Sequence, residues 1–100
     1  MKRFRKVKIG GEVIEAEVCD TIFKRARGLM FRKNPPVLLF IFKKPTKQPI
    51  HSFFCKPFRA IWLNEGKIID EKTVLPFKLS VIPKGNFTEL VEIPSKSAAK

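Results

Sequence analysis

The feature that most constrains this chain is its punctuation. From the Asn34-Pro35-Pro36 break onward, short apolar segments alternate with turn sequences. The segments are VLLFIF, IHSFFC, FRAIWLN, KIIDEKTV, FKLSVI and FTELVEI, and KKPTKQP, NEGK and PKGN separate several of them. Short runs rich in β-branched and aromatic residues between such breaks read as strands. Gly66 and Gly85 are placed for the positive dihedral of a bulged hairpin. No second helix of crossover length is present, so a sheet built from β-α-β units is not expected.

The first half of the chain adds one hairpin and one helix. In FRKVKI, Val7 and Ile9 share one side and Lys6 and Lys8 the other, and Gly10-Gly11 then supplies a tight turn into EVIEAEVC. In that second segment Ile14, Ala16 and Val18 are expected inward and Glu15 and Glu17 outward, opposite the lysines. At Asp20 the pattern changes. Asp20 suits the cap of a short helix over TIFKRAR, Ile22, Phe23 and Ala26 form its apolar stripe, and Gly28 stops it in a left-handed C-terminal cap. Leu29, Met30 and Phe31 follow as an apolar plug. The expected fold is mainly β: a single compact antiparallel β barrel or sandwich with one short α-helix near residues 21–27. It forms one domain over residues 1–94, and 95–100, SKSAAK, are a disordered C-terminal tail.

One hundred residues with 44% apolar side chains, ten Phe and one Trp suffice for a single core. VLLFIF is the longest uninterrupted apolar run, far short of the ~20 residues needed to cross a bilayer. There is no transmembrane segment, and the basic start MKRFRKVKIGG lacks the apolar region and cleavage site of a signal peptide. The expected compartment is the cytoplasm. Cys19 and Cys55 have no paired metal-binding spacing, and two buried free thiols are the expectation. A high charged fraction with one Gln and three Asn suits a thermophilic host. The balance of 21 Lys and Arg against nine Asp and Glu, +12, favours anionic partners: nucleic acid, an acidic membrane surface or an acidic protein.

The side chains capable of chemistry are few. His51 is the single histidine, which excludes a multi-histidine metal site within one chain. If IHSFFC is a strand, His51 and Cys55 share a face but stand roughly 13 Å apart, too far for a shared metal or a nucleophile-base dyad. Asp70 and Glu71 are adjacent and so point to opposite faces of their strand. No phosphate-cradling glycine loop, serine signature or paired carboxylates occur. Catalytic residues, metal ligands and cofactors are therefore not expected, and an enzyme is not the favoured reading. Phe53 and Phe54 must face opposite sides of such a strand, and the outer one, near Lys43, Lys44, Lys47 and Lys56, is placed either to stack a base or to be covered.

The blocks RARGLMFR, HSFFC, AIWLNEGKIIDEKTV and LVEIP carry a resemblance. From about Glu12 to Pro94 the chain resembles a family of small uncharacterised proteins, the domain of unknown function 192. The resemblance implies a compact, mostly β domain and no established activity. Family members often carry an Asp where this chain has Arg59, so an acidic or metal-linked role there is not expected. Many also continue past the Leu-Glu-Leu-Pro element with another strand, whereas here SKSAAK follows. An exposed sheet edge open to homo-oligomer pairing is the corresponding expectation.

The favoured function is a non-enzymatic binding module whose site gathers around Arg27, Arg32 and His51, with an anionic small molecule or acidic peptide as ligand. The second reading is weak, non-specific nucleic-acid binding through a distributed basic surface. The stretch TIFKRARGLMFRK, with Asp20, Gly28, Leu29, Met30 and Phe31 as its frame, is expected to be primarily architectural.

Overall fold

Alternation in the first two segments produces the expected hairpin. Strands β1 (Phe4–Ile9) and β2 (Glu12–Cys19) pair antiparallel, with Val7 opposite Ile14 and Lys6 opposite Glu15. Gly10 and Gly11 join them at φ 57° and 88°, the two left-handed residues that a two-residue turn matched to strand twist requires. In this computed structural model, residues 3–19, 36–52 and 55–94 are described. The remaining strands are β3 (Leu38–Thr46), β4 (Phe58–Asn64), β5 (Lys67–Val74) and β6 (Phe87–Pro94).

The six strands form one sheet in the order β1-β2-β3-β6-β4-β5, curled into a half-barrel. Every pairing is antiparallel except β2 with β3, which run parallel over Glu17 to Cys19 and Leu38 to Phe40. A parallel pair needs a crossover rather than a tight turn. The chain between Cys19 and Leu38, which includes TIFKRARGLMFRK, is that crossover. Asp20, the helix expected near 21–27 and the Gly28 to Arg32 block lie outside the described residues, as do 95–100. Among the described residues all regular structure is strand.

Apolar side chains line both faces of the sheet. On one face the curl brings Val7 and Ile9 of β1 together with Ala16, Val18, Leu39, Ile61, Leu63 and Val91. The other face carries Leu38, Phe40, Phe58, Ala60, Trp62, Val74 and Leu90, and connecting chain covers it through Ile50, Cys55 and Val81. Phe87 stands between Phe42, at 5.3 Å, and Trp62, at 6.5 Å, both edge to face.

Several expectations need correction. Lys43 to Thr46 prolong β3 instead of opening a turn, with Pro45 tolerated where the register with β6 is broken. IHSFFC and FKLSVI do not form strands among the described residues. They meet only in an isolated antiparallel bridge between Ile50 and Val81. Gly66 has the expected positive φ of 83°, next to Glu65 at 51°, whereas Gly85 does not. β6, which carries LVEIP, lies between β3 and β4, and the edge strands of the described sheet are β1 and β5.

Candidate functional site

Two carboxylates are buried on the face that connecting chain covers. Glu17 is 3% exposed and Glu92 5%. Alternation placed Glu17 outward with Glu15, and Glu15 is indeed exposed. The difference is the partner strand: at Glu17 the hairpin enters the main sheet, where Leu38 lies alongside. Leu38 is also the partner of Glu92 on its other side. The two carboxylates thus flank one leucine on one face, two strand spacings or about 9.5 Å apart along the backbone.

Glu92 is the more unusual of the pair. Its neighbours in the same row are Leu38 on β3 and Ala60 on β4, neither of which offers a hydrogen bond from its side chain. Burial pushes its carboxyl up to about 8, so near neutral pH it holds a proton. Cys55 sits close enough to feel it. Burial, and then the Glu92 charge, push that thiol up to about 11. Both cysteines are free and buried, as expected from their sequence context. At such a pKa the Cys55 thiolate is scarce at neutral pH, which makes it a poor nucleophile.

Trp62 completes the cluster. It pairs with Leu90, two residues before Glu92 on β6, so indole and carboxyl are diagonal neighbours on one face of adjacent strands. That relation spans about 7–8 Å of backbone, within reach of long side chains. Trp62 is fully buried, and its indole Nε1–H has no hydrogen-bond partner. A buried donor left unpaired costs free energy, which marks this spot as unfinished. Lys72 covers the ring from β5, its Nζ 6.0 Å from the ring centre.

His51 is half-buried. Its neighbour Ser52, which carried no signal in the sequence, is fully buried and organises the local chain. The Ser52 hydroxyl donates to the Leu75 carbonyl at 2.5 Å and accepts from the Lys78 amide at 2.7 Å. Its main chain accepts from Phe77 and donates to Lys78, both at 3.0 Å. Cys55 N–H also donates to the Ser52 carbonyl, at 3.3 Å, closing a turn where an extended strand was expected. The 13 Å separation argued for His51 and Cys55 therefore does not apply. Arg27 and Arg32, the other two expected ligand-binding residues, lie outside the described residues, as do Phe53 and Phe54.

Several other charged residues among those described fasten strands or face solvent. Arg59 donates two hydrogen bonds to one oxygen of Glu71 across β4 and β5 at an exposed site. Asp70 accepts from the Glu71 and Lys84 amides, fastening the middle of β5 to the chain before β6. Arg5 pairs with Glu89 at 3.0 Å. Lys43, Lys44 and Lys47 are exposed, and no carboxylate among the described residues pairs with them. Among the described residues no group of three or more His, Cys, Asp or Glu could hold a metal ion.

The resemblance carried by the RARGLMFR and LVEIP blocks extends through this fold. A family model, DUF192, described as Uncharacterized ACR, matches residues 5–100. The chain belongs to the DUF192 family. It is 33% identical over 84 residues to a UPF0127 protein of Pyrococcus horikoshii, covering 80% of this chain and 72% of that one. A UPF0127 protein of Pyrococcus furiosus is 34% identical over 84 residues, covering 81% and 72%. Relatives from such thermophiles agree with the composition. In fold, the chain is similar to the crystal structure of a "putative transcription regulator" from Sinorhizobium meliloti, with a TM-score of 0.78 and 16% identity. That match covers 98% of this chain and 83% of the other. A protein of unknown function from Novosphingobium aromaticivorans gives a TM-score of 0.77 at 18% identity, covering 98% and 76%. At those identities the likeness concerns the fold alone.

Proposed function

We propose that this DUF192 chain is a non-enzymatic binding domain for a small anionic molecule or the carboxylate of an acidic peptide, received on the face that carries Glu92 and Trp62. The observation that carries the reading is the unpartnered, buried indole N–H beside a buried carboxyl. With its proton on, Glu92 is a donor like the indole, and two donors on one low-dielectric face suit an acceptor-rich ligand. The chain's +12 charge draws such ligands from solution. His51, Arg27 and Arg32 belong to this reading as further polar partners of the ligand, and no side chain takes a catalytic role in it. A cytoplasmic setting belongs to it too, although the structure itself supplies only that no helix among the described residues is long and apolar enough to cross a membrane. So does a single domain over 1–94 followed by a tail.

Trp62 is the single tryptophan, so its fluorescence reports directly on the site. Titration with mono- and dicarboxylates, inorganic phosphate and acidic peptides should find a class that shifts its emission. Affinity should weaken about tenfold per pH unit above about 8, where Glu92 loses its proton. Trp62→Phe, followed by calorimetry, should lose at least tenfold. No responsive ligand, or an affinity that is level through pH 8, refutes the reading.

Weak nucleic-acid binding is the second reading, supported by the unmatched Lys43, Lys44 and Lys47. It predicts a linear fall of log affinity with log salt in fluorescence anisotropy, with little sequence preference. Submicromolar affinity at physiological salt would place it first.

A further inference from the structure

The connection from Leu75 to Ile82 runs against the usual placement of apolar side chains. Leu75 is 54% exposed, Phe77 63%, Leu79 78% and Ile82 47%, whereas Val81 packs on the core. Scattered exposed leucines are ordinary, but four large apolar side chains within one short connection mark an interaction surface.

The backbone beneath them is fixed. Ser52 holds Leu75, Phe77 and Lys78 through its hydroxyl and main chain. Ile50 and Val81 exchange two main-chain bonds, of 3.0 and 2.8 Å. Lys72 Nζ donates to the Ile82 carbonyl at 2.6 Å, and the Lys84 amide to Asp70 at 2.9 Å. Phe77 is held at a φ of 64°, a conformation unfavourable for a bulky residue, while its N–H is engaged by Ser52. A loop pinned in this way cannot turn its apolar side chains inward without breaking these hydrogen bonds. Their outward display is built into the fold.

Charge selects the occupant. Lys78 stands within the run, Lys72 and Lys84 are tied to its end, and Asp70 is the one carboxylate in those contacts. A second copy would bring +12 against +12. We propose that the Leu75–Ile82 loop docks on an anionic lipid surface, inserting Leu75, Phe77, Leu79 and Ile82 below the headgroups while Lys72, Lys78 and Lys84 meet the lipid phosphates. Separate apolar side chains interleaved with lysine fit a fluid interface, which has no need of a matched pocket for each one. Each lysine brought to such a surface contributes about a fivefold gain in partitioning. Lys72, which covers the Trp62 ring, is the residue this surface shares with the Glu92 and Trp62 site.

Sedimentation with phosphatidylcholine vesicles, with and without one part in three phosphatidylglycerol, tests the proposal on the full chain. The parent should bind the anionic vesicles, ignore the neutral ones and weaken with salt. Leu79→Ser, at the most exposed position of the loop, keeps the charge and should partition about tenfold less or weaker, with an unchanged thermal melt. Lys78→Ala should lose about fivefold. Leu79→Ser binding as well as the parent would reduce the effect to bulk charge and overturn the proposal. A parent that ignores anionic vesicles at low salt would overturn it in favour of a protein partner. A concentration-dependent dimer abolished by Leu79→Ser would overturn it in favour of self-association.

Discussion

Replacing Glu92 by Gln should change how stability depends on pH more than it changes stability at any single pH. The carboxyl moves from an ordinary 4.5 to about 8 on folding because burial disfavours its charged form. Between those values the native state holds a proton that the unfolded state has released, so stability falls as pH rises, by about 1.4 kcal/mol per unit. The contribution is fully present below 4.5 and lost by the time pH has passed through 8. Taken over the whole window the loss reaches about 5 kcal/mol as a ceiling, against a typical total of about 5–15 kcal/mol. Its row neighbours Leu38 and Ala60 carry no titratable group, and burial pushes the Cys55 thiol up to about 11, above the window. Glu92→Gln keeps the shape and cannot ionise, so the variant should gain on the parent by several kcal/mol between pH 5 and 9. Guanidinium unfolding of both proteins, followed by Trp62 fluorescence across that range, makes the measurement. Curves that stay parallel, or a parent that gains on the variant as pH rises, would refute the burial argument.

Ser52→Ala removes a hydroxyl bonded to Leu75 and Lys78 and should cost about 1–3 kcal/mol, with proteolysis or hydrogen exchange rising first between 75 and 82. Unchanged exchange there would separate the loop from its anchor. Cys19 and Cys55 should react with a disulfide reagent far more slowly in the native protein than after unfolding, since both are buried and the Cys55 thiol is raised to about 11. Labelling of both at the rate of free thiols would contradict that burial. Arg59→Ala should cost less than about 1 kcal/mol in thermal unfolding, because its pair with Glu71 is exposed; a larger loss would assign Arg59 a role beyond that pair.

The strands were legible wherever a local signal fixed them. Gly10-Gly11 and Glu65-Gly66 set the two tight hairpins, and alternation in FRKVKI and EVIEAEVC set their faces. The order β1-β2-β3-β6-β4-β5 was not legible, because the places of β3 and β6 follow from long-range pairing rather than from any nearby residue. IHSFFC shows the limit of composition. Its aromatic run has strand character, but Ser52 gives its hydrogen bonds to Leu75, Phe77 and Lys78, more than twenty positions away.

The candidate site was hidden for a related reason. Alternation assigns a residue to a face, and it separates core from solvent only when one face is wet. In this half-barrel both faces of β4 and β6 are covered, so Trp62 and Leu63, or Val91 and Glu92, are buried side by side on opposite faces. A glutamate in such a strand looks in sequence like the polar member of an alternating pair. In the structure it is a desolvated acid without a hydrogen-bond partner among its cross-strand neighbours. What sequence does offer is a coincidence of types: a tryptophan in one strand dense with apolar residues, and in another a glutamate, Glu92, set between Val91 and Ile93. Such strands are the central ones of a covered sheet, and a carboxyl there is retained at a cost in stability that a ligand contacting it can offset. The Glu92→Gln variant tests that link. If Glu92 serves binding, the change that stabilises the fold at high pH also removes the fall in ligand affinity above about 8, because the glutamine amide stays a donor where the parent acid has lost its proton. If it serves only the fold, stability alone responds.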